Sequence, residues 1–74
     1  MSTPEVQAAE LMARVFLVSP DVAATWVFGE SADWDSLKHA ELLMEIEDYL
    51  DRQLSDEEAW SIIDHASIVA CIRG

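Results

Sequence analysis

A serine stands where the sequence announces the start of a helix. In Asp33-Trp34-Asp35-Ser36-Leu37, Asp35 is a good N-cap, because its carboxylate can accept from the unpaired N–H groups of a first helical turn. No Gly or Pro interrupts the chain from Ser36 through Arg52, which predicts a helix of about four to five turns. Ser36 therefore falls in the first turn, at the positive end of a helix dipole. A phosphate linked to its hydroxyl would meet a favourable field and free N–H donors there. The same hydroxyl is poorly equipped as a catalytic nucleophile. The Gly-x-Ser-x-Gly elbow is missing, and His39, one turn on, rotates toward the core edge. No catalytic residue is assigned, and the chain is not expected to be an enzyme.

Other chemistry-bearing side chains read as structural. The spacing of His39 and His65 matches no zinc motif, and Cys71 has no companion thiol. Each histidine is expected at a helix end or partly buried, and Cys71 as a small core hydrophobe. Asp33, Asp35 and Glu41 suggest a calcium loop, but Lys38 stands where that loop needs Gly and Met44 where it needs Glu. No metal site is expected.

Turning the Ser36 helix at about 100° per residue separates two apolar stripes. Leu42, Leu43, Ile46, Tyr49 and Leu50 form the expected core face. Leu37, Ala40 and Met44 lie nearly opposite, with Glu41 and Asp48 along one edge and Glu47 and Asp51 along the other. A lone amphipathic helix would be polar there. An apolar strip bracketed by carboxylates suits a docking surface for basic partners with an apolar hole to fill; Leu37, Ala40, Glu41, Met44, Glu47 and Asp48 are its candidate residues.

The remaining elements position this helix. Thr3-Pro4-Glu5 combines an N-cap, a Pro at the first helical position and an acid in the first turn. The helix is expected to run to about Val18, with Ala8, Met12, Val15 and Phe16 toward the core and Gln7, Glu10 and Arg14 on another face. Ser19 to Trp34 is a long connection in which Ser19-Pro20-Asp21 caps a short helical turn to about Thr25. Trp26, Val27 and Phe28 pin the loop over the core, and Gly29 turns the chain. Further on, Ser55 and Glu58 fit a capping box, with Asp56 and Glu57 favourable beside them. From Ser55 to Cys71 no Gly or Pro intervenes, so the local pattern allows one continuous helix. Ile62 or Ile63, with Ile68, Val69 and Ile72, is expected to close the core.

Asp35-Ser36-Leu37, Glu41-Leu42 and Glu47-Asp48 on one helix, followed by Ser55-Asp56-Glu57-Glu58-Ala59 and a closing apolar helix, resembles the acyl carrier protein family. The likeness runs without gaps from about Asp33 to Ile72, and the N-terminal helix fits it more loosely. The resemblance implies an all-α four-helix bundle of three main helices and one short helix, with a long first loop. It also implies a helix break after about Ser61, with Asp64 capping the last helix. It makes Ser36 the attachment point of a 4′-phosphopantetheine arm, with Asp35 beside it, whose thiol carries acyl, ketide or aminoacyl cargo as a thioester. Its partners would be a phosphopantetheinyl transferase and acyl- or aminoacyl-loading ligases and synthases, in fatty acid or in polyketide- or nonribosomal-type biosynthesis. Trp34, expected to pack the loop, is similar to a variant among aminoacyl and specialised-metabolism carriers. The alternative is an acidic helical interaction module without a prosthetic group.

Composition agrees with a small helical carrier. The 74 residues are 51% apolar, enough for the core of one domain, residues 1–74, and too many for a disordered acidic tail. Four basic residues against fifteen acidic give a net charge of −11. That disfavours nucleic acid and anionic membranes, which need Lys and Arg, and favours basic protein surfaces. Leu11 to Val18 is apolar but lacks the basic approach of a signal peptide, and no run reaches membrane-spanning length. One cysteine excludes an internal disulfide and suits a reducing cytoplasm. A discrete, monomeric, cytoplasmic carrier is the expectation.

Overall fold

A computed structural model describes residues 3–74. Five helices pack around one apolar core: α1 Pro4–Phe16, α2 Pro20–Ala23, α3 Ser36–Leu50, α4 Asp56–Ser61 and α5 His65–Arg73. No strand forms among the described residues; Val27 and Asp64 make an isolated antiparallel bridge. No helix among them is long and apolar enough to cross a membrane.

Polar caps fix the helix starts. Thr3 Oγ1 accepts from the Val6 N–H at 3.2 Å, and Ser19 Oγ from the Val22 N–H at 3.4 Å, with Pro4 and Pro20 at the first helical positions. Helix α1 stops at Phe16 rather than Val18. Leu17 turns into the left-handed region at φ 59° and its N–H closes on the Ala13 carbonyl at 2.8 Å. Helix α3 likewise stops at Leu50, before Arg52, because Asp51 adopts φ 56°. Helix α2 makes a fifth helix out of the turn expected in the first connection.

The Ser55–Glu58 capping box starts α4 as its residues predict. The break before α5 has no Gly or Pro. Asp64 accepts from the Ser67 N–H at 2.9 Å, and Ser67 Oγ accepts from the N–H groups of Ile63 and Asp64 at 2.9 and 3.0 Å. The Ile63 carbonyl is turned to the Phe28 N–H at 2.8 Å. These bonds outcompete one continuous helix.

The core is built from Ala8, Leu11, Met12, Val15 and Phe16 of α1, Leu42 and Ile46 of α3, Ile68 of α5, and Ala23, Trp34 and Ile62. Ile62 takes the joint position and Ile63 is exposed; Val69 and Ile72 pack at the core's edge. One core expectation fails. Tyr49 is exposed, on the flank of α3 that meets the polar Gln7–Glu10 side of α1. Arg73 and His65 tie α5 back to α1, the guanidinium on Glu5 at 2.7 Å and the imidazole on the Glu5 carbonyl at 2.8 Å.

Candidate functional site

The cap at the head of α3 forms as its residues predict. Asp35 Oδ1 accepts from the Lys38 N–H at 2.9 Å, and Ser36 is the first helical residue and exposed. The Ser36 and Leu37 N–H groups precede the first intrahelical donor, the His39 N–H on the Asp35 carbonyl, and lie at the open end of the helix. The hydroxyl therefore has room for a bulky substituent, with two backbone donors close by.

Below it, Leu37 is 69% and Met44 65% exposed, and Ala40, Glu41 and Asp48 are exposed with them. The expected apolar strip is thus on the surface and flanked by carboxylates. Its two edges differ. Glu41 takes Lys38 Nζ at 3.4 Å, and that ammonium also donates to the Val15 carbonyl at 3.4 Å, so this edge leans on α1. Glu47 is half-buried and accepts from the Leu54 N–H at 2.9 Å, which secures the turn between α3 and α4. Glu47 therefore holds the fold as well as contributing charge to the strip.

Among the described residues no hydrogen bond joins the Ser36 hydroxyl to a histidine or a carboxylate; Asp35 is engaged on the Lys38 N–H. Trp34, 2% exposed, donates from Nε1 to His39 Nδ1 at 3.1 Å. An indole N–H only donates, so Nδ1 is the acceptor and the proton sits on Nε2, which donates to the Ala59 carbonyl at 3.2 Å. Phe28 stacks on the imidazole with ring centres 4.4 Å apart. Both ring nitrogens are occupied in structure, as is the Trp34 ring, which packs on Phe16 at 5.2 Å rather than facing outward. Burial raises the Cys71 thiol above its ordinary range, with Glu58 adding to the effect, so it too is a poor nucleophile. The arrangement is an exposed serine at a helix head beside an exposed apolar strip edged by carboxylates.

No protein-family model matches the chain, and no curated protein matches it.

Sequence reasoning missed the Trp34–His39 bond and the Arg52–Glu58 pair. In the latter the guanidinium meets the carboxylate through two bonds, of 3.1 and 2.8 Å. Its signal was faint: a lone arginine six residues before the capping-box glutamate.

Proposed function

We propose that the chain is a carrier protein of the acyl carrier type, its helices arranged as in that family's four-helix bundle with α2 as an addition in the first loop. The observation that carries the reading is the exposed Ser36 hydroxyl at the head of a fifteen-residue helix whose outer face shows Leu37, Ala40 and Met44. A phosphopantetheinyl transferase would move 4′-phosphopantetheine from coenzyme A onto Ser36, a new P–O bond to the serine oxygen replacing the pyrophosphate bond, with adenosine 3′,5′-bisphosphate leaving and the hydroxyl proton passing to the transferase's base. When attached, that group supplies a flexible thiol that holds cargo as a thioester. Ser36 would provide the oxygen, and the Ser36 and Leu37 N–H groups at the open helix end would be available as donors to the phosphodiester. Asp35 keeps the helix start formed by holding the Lys38 N–H. The transferase must bring base and metal, since His39 is engaged by Trp34 and Ala59.

Leu37, Ala40 and Met44 would seat in apolar hollows of successive partners, with Glu41, Asp48 and the outer oxygen of Glu47 meeting their Arg and Lys. Such contacts are small and transient, because several enzymes must share one surface. The test is mass spectrometry after incubation with coenzyme A and a broad-specificity transferase. A gain of one phosphopantetheine, lost in Ser36→Ala, supports the reading. An unmodified wild-type chain rejects it and leaves the acidic interaction module.

A further inference from the structure

We propose that the seam between α1 and α3 is a second docking surface, shaped for a basic amphipathic helix of a partner protein. Helices α1 and α3 run antiparallel there, and the seam is open along its outer side. One groove of about 410 Å³ has Leu17 and Met44 among its walls, with Arg14, Glu45 and Asp48. A second, of about 220 Å³, shares those three polar residues and continues to Leu11 and Tyr49. Together they follow α1 from Leu17 back to Gln7, about 15 Å at the helical rise. That accommodates two to three turns of another helix.

Leu17 is the strongest sign that the groove has an occupant. It is 84% exposed and held at φ 59°, a conformation leucine adopts only under strain and one that ordinarily falls to glycine. A glycine would end α1 equally well, so the side chain has no evident duty in the fold. It stands at the lip of the larger groove, near Met44.

Charge selects the occupant. Arg14 is compensated in place by Glu45 and Lys38 by Glu41, each at 3.4 Å. Asp48 and Glu10 line the same seam and make no ion pair among the described residues. The seam thus offers an apolar end at Leu17/Met44, the exposed Tyr49 ring at the other end over buried Leu11, and an acidic middle. The matching helix carries aliphatic anchors about two turns apart with Lys or Arg between them. A second copy of this chain is disfavoured, since it would bring another −11 charges to the contact. Glu41, Met44 and Asp48 are common to this seam and the strip below Ser36, whereas Glu10, Arg14, Leu17, Glu45 and Tyr49 belong to the seam alone; the inference does not depend on a tethered arm.

The experiment is an NMR titration of the full chain, both wild type and Ser36→Ala. The probe is a synthetic helix of about four turns, Leu on one face and Lys elsewhere, compared with the same peptide carrying Glu for Lys. The Lys peptide is expected to shift the amides of Leu11–Leu17 and Glu41–Tyr49 in both proteins, and the Glu peptide to shift neither. Leu17→Gly, which suits the backbone and keeps the fold, should weaken binding by about tenfold, while Trp60→Ser, at an exposed apolar residue that lines neither groove, leaves it unchanged. No binding, equal binding of both peptides, or shifts confined to Ser36–Ala40 would overturn the proposal. So would equal weakening by Trp60→Ser, or a dimer in sedimentation. Because Ser36→Ala takes no arm, these outcomes are separate from the mass measurement on Ser36.

Discussion

Trp34 Nε1 donates to His39 Nδ1 at 3.1 Å, and that bond decides which nitrogen of the imidazole reaches α4. With Nδ1 taken as acceptor, Nε2–H closes on the Ala59 carbonyl at 3.2 Å. One side chain of the first loop, one of α3 and the backbone of α4 are thereby joined in series just beneath Ser36. Trp34→Phe keeps an aromatic ring but leaves a buried acceptor without its donor. Such a loss costs about 1–3 kcal/mol, with a further contribution from the smaller ring. Urea unfolding should show the midpoint falling accordingly; a midpoint equal to wild type would mean that the bond contributes nothing.

If Ser36 carries the proposed arm, Ser36→Ala separates attachment from folding. The hydroxyl is exposed and the cap belongs to Asp35, so stability should stay within about 0.5 kcal/mol of wild type. Loading by the transferase should vanish. Asp35→Ala acts the other way: it removes the cap on the Lys38 N–H and should cost about 1 kcal/mol while the serine is still present. A thermal melt and an intact-mass measurement on each variant check the pair. Residual loading of Ser36→Ala would move the attachment point elsewhere.

Glu58 gives the fold a defined acid sensitivity. Two bonds from Arg52 and the Ser55 N–H lower its carboxyl from the ordinary 4.5 to about 2, the arginine being the larger cause. In the unfolded chain the group takes up its proton near 4.5, earlier than in the native state. Its stabilising contribution is therefore complete above that pH and is lost as pH falls toward 2. Glu58→Gln should flatten the fall in stability between about pH 4.5 and 2, read as the difference in urea midpoints between wild type and variant. Parallel curves would show that the pair does not persist in solution.

The features legible from residue order were those made by short-range polar chemistry. Asp35 before Ser36 and Ser55 with Glu58 are local patterns, and each forms; the Asp64 cap, which only the resemblance implied, forms as well. The exposed strip of Leu37, Ala40 and Met44 followed from rotation about one axis. Helix ends were misplaced at Leu17 and Asp51, because neither is the glycine that normally marks a left-handed stop. Local pattern also left the Ile62–Ile63 break undecided, since it depends on Ser67 and on Phe28, a residue 35 positions from Ile63. Tyr49 was assigned to the core because periodicity gives a direction but not what α1 presents at the other side. His39 was placed at the core edge correctly, but its partner Trp34 lies on an irregular loop that no period describes.

Self-repulsion should make the fold respond to salt. With a net charge of −11 and acids concentrated on α3 and α4, like charges oppose the compact state more than the extended one. Raising sodium chloride from about 0.01 to 0.15 M shortens the screening length from about 30 to 8 Å. The thermal midpoint should rise over that range, and more steeply with a divalent cation. A midpoint indifferent to both would mean that Arg52, Arg73, Lys38 and Arg14 already neutralise the charge that matters.

Asp51 is poorly chosen for its place, and replacing it should stabilise the fold. It sits at φ 56°, where glycine is unstrained, and it puts a carboxylate at the negative end of α3. Its N–H bonds the Glu47 carbonyl, a contact any non-proline residue keeps. Asp51→Gly removes both penalties, offset in part by the greater freedom of glycine in the unfolded chain. A gain of about 1 kcal/mol is expected, equivalent to roughly 4–8 °C in a domain of this size. Asp51→Asn, which relieves the charge and tolerates the left-handed backbone, should recover part of it. The carboxylate lies along the outer edge of α3, away from Ser36, so loading should be unaffected in either variant. A lower melting point for Asp51→Gly would show that the carboxylate makes a stabilising contact in solution, and slower loading would extend the transferase footprint to the far end of α3.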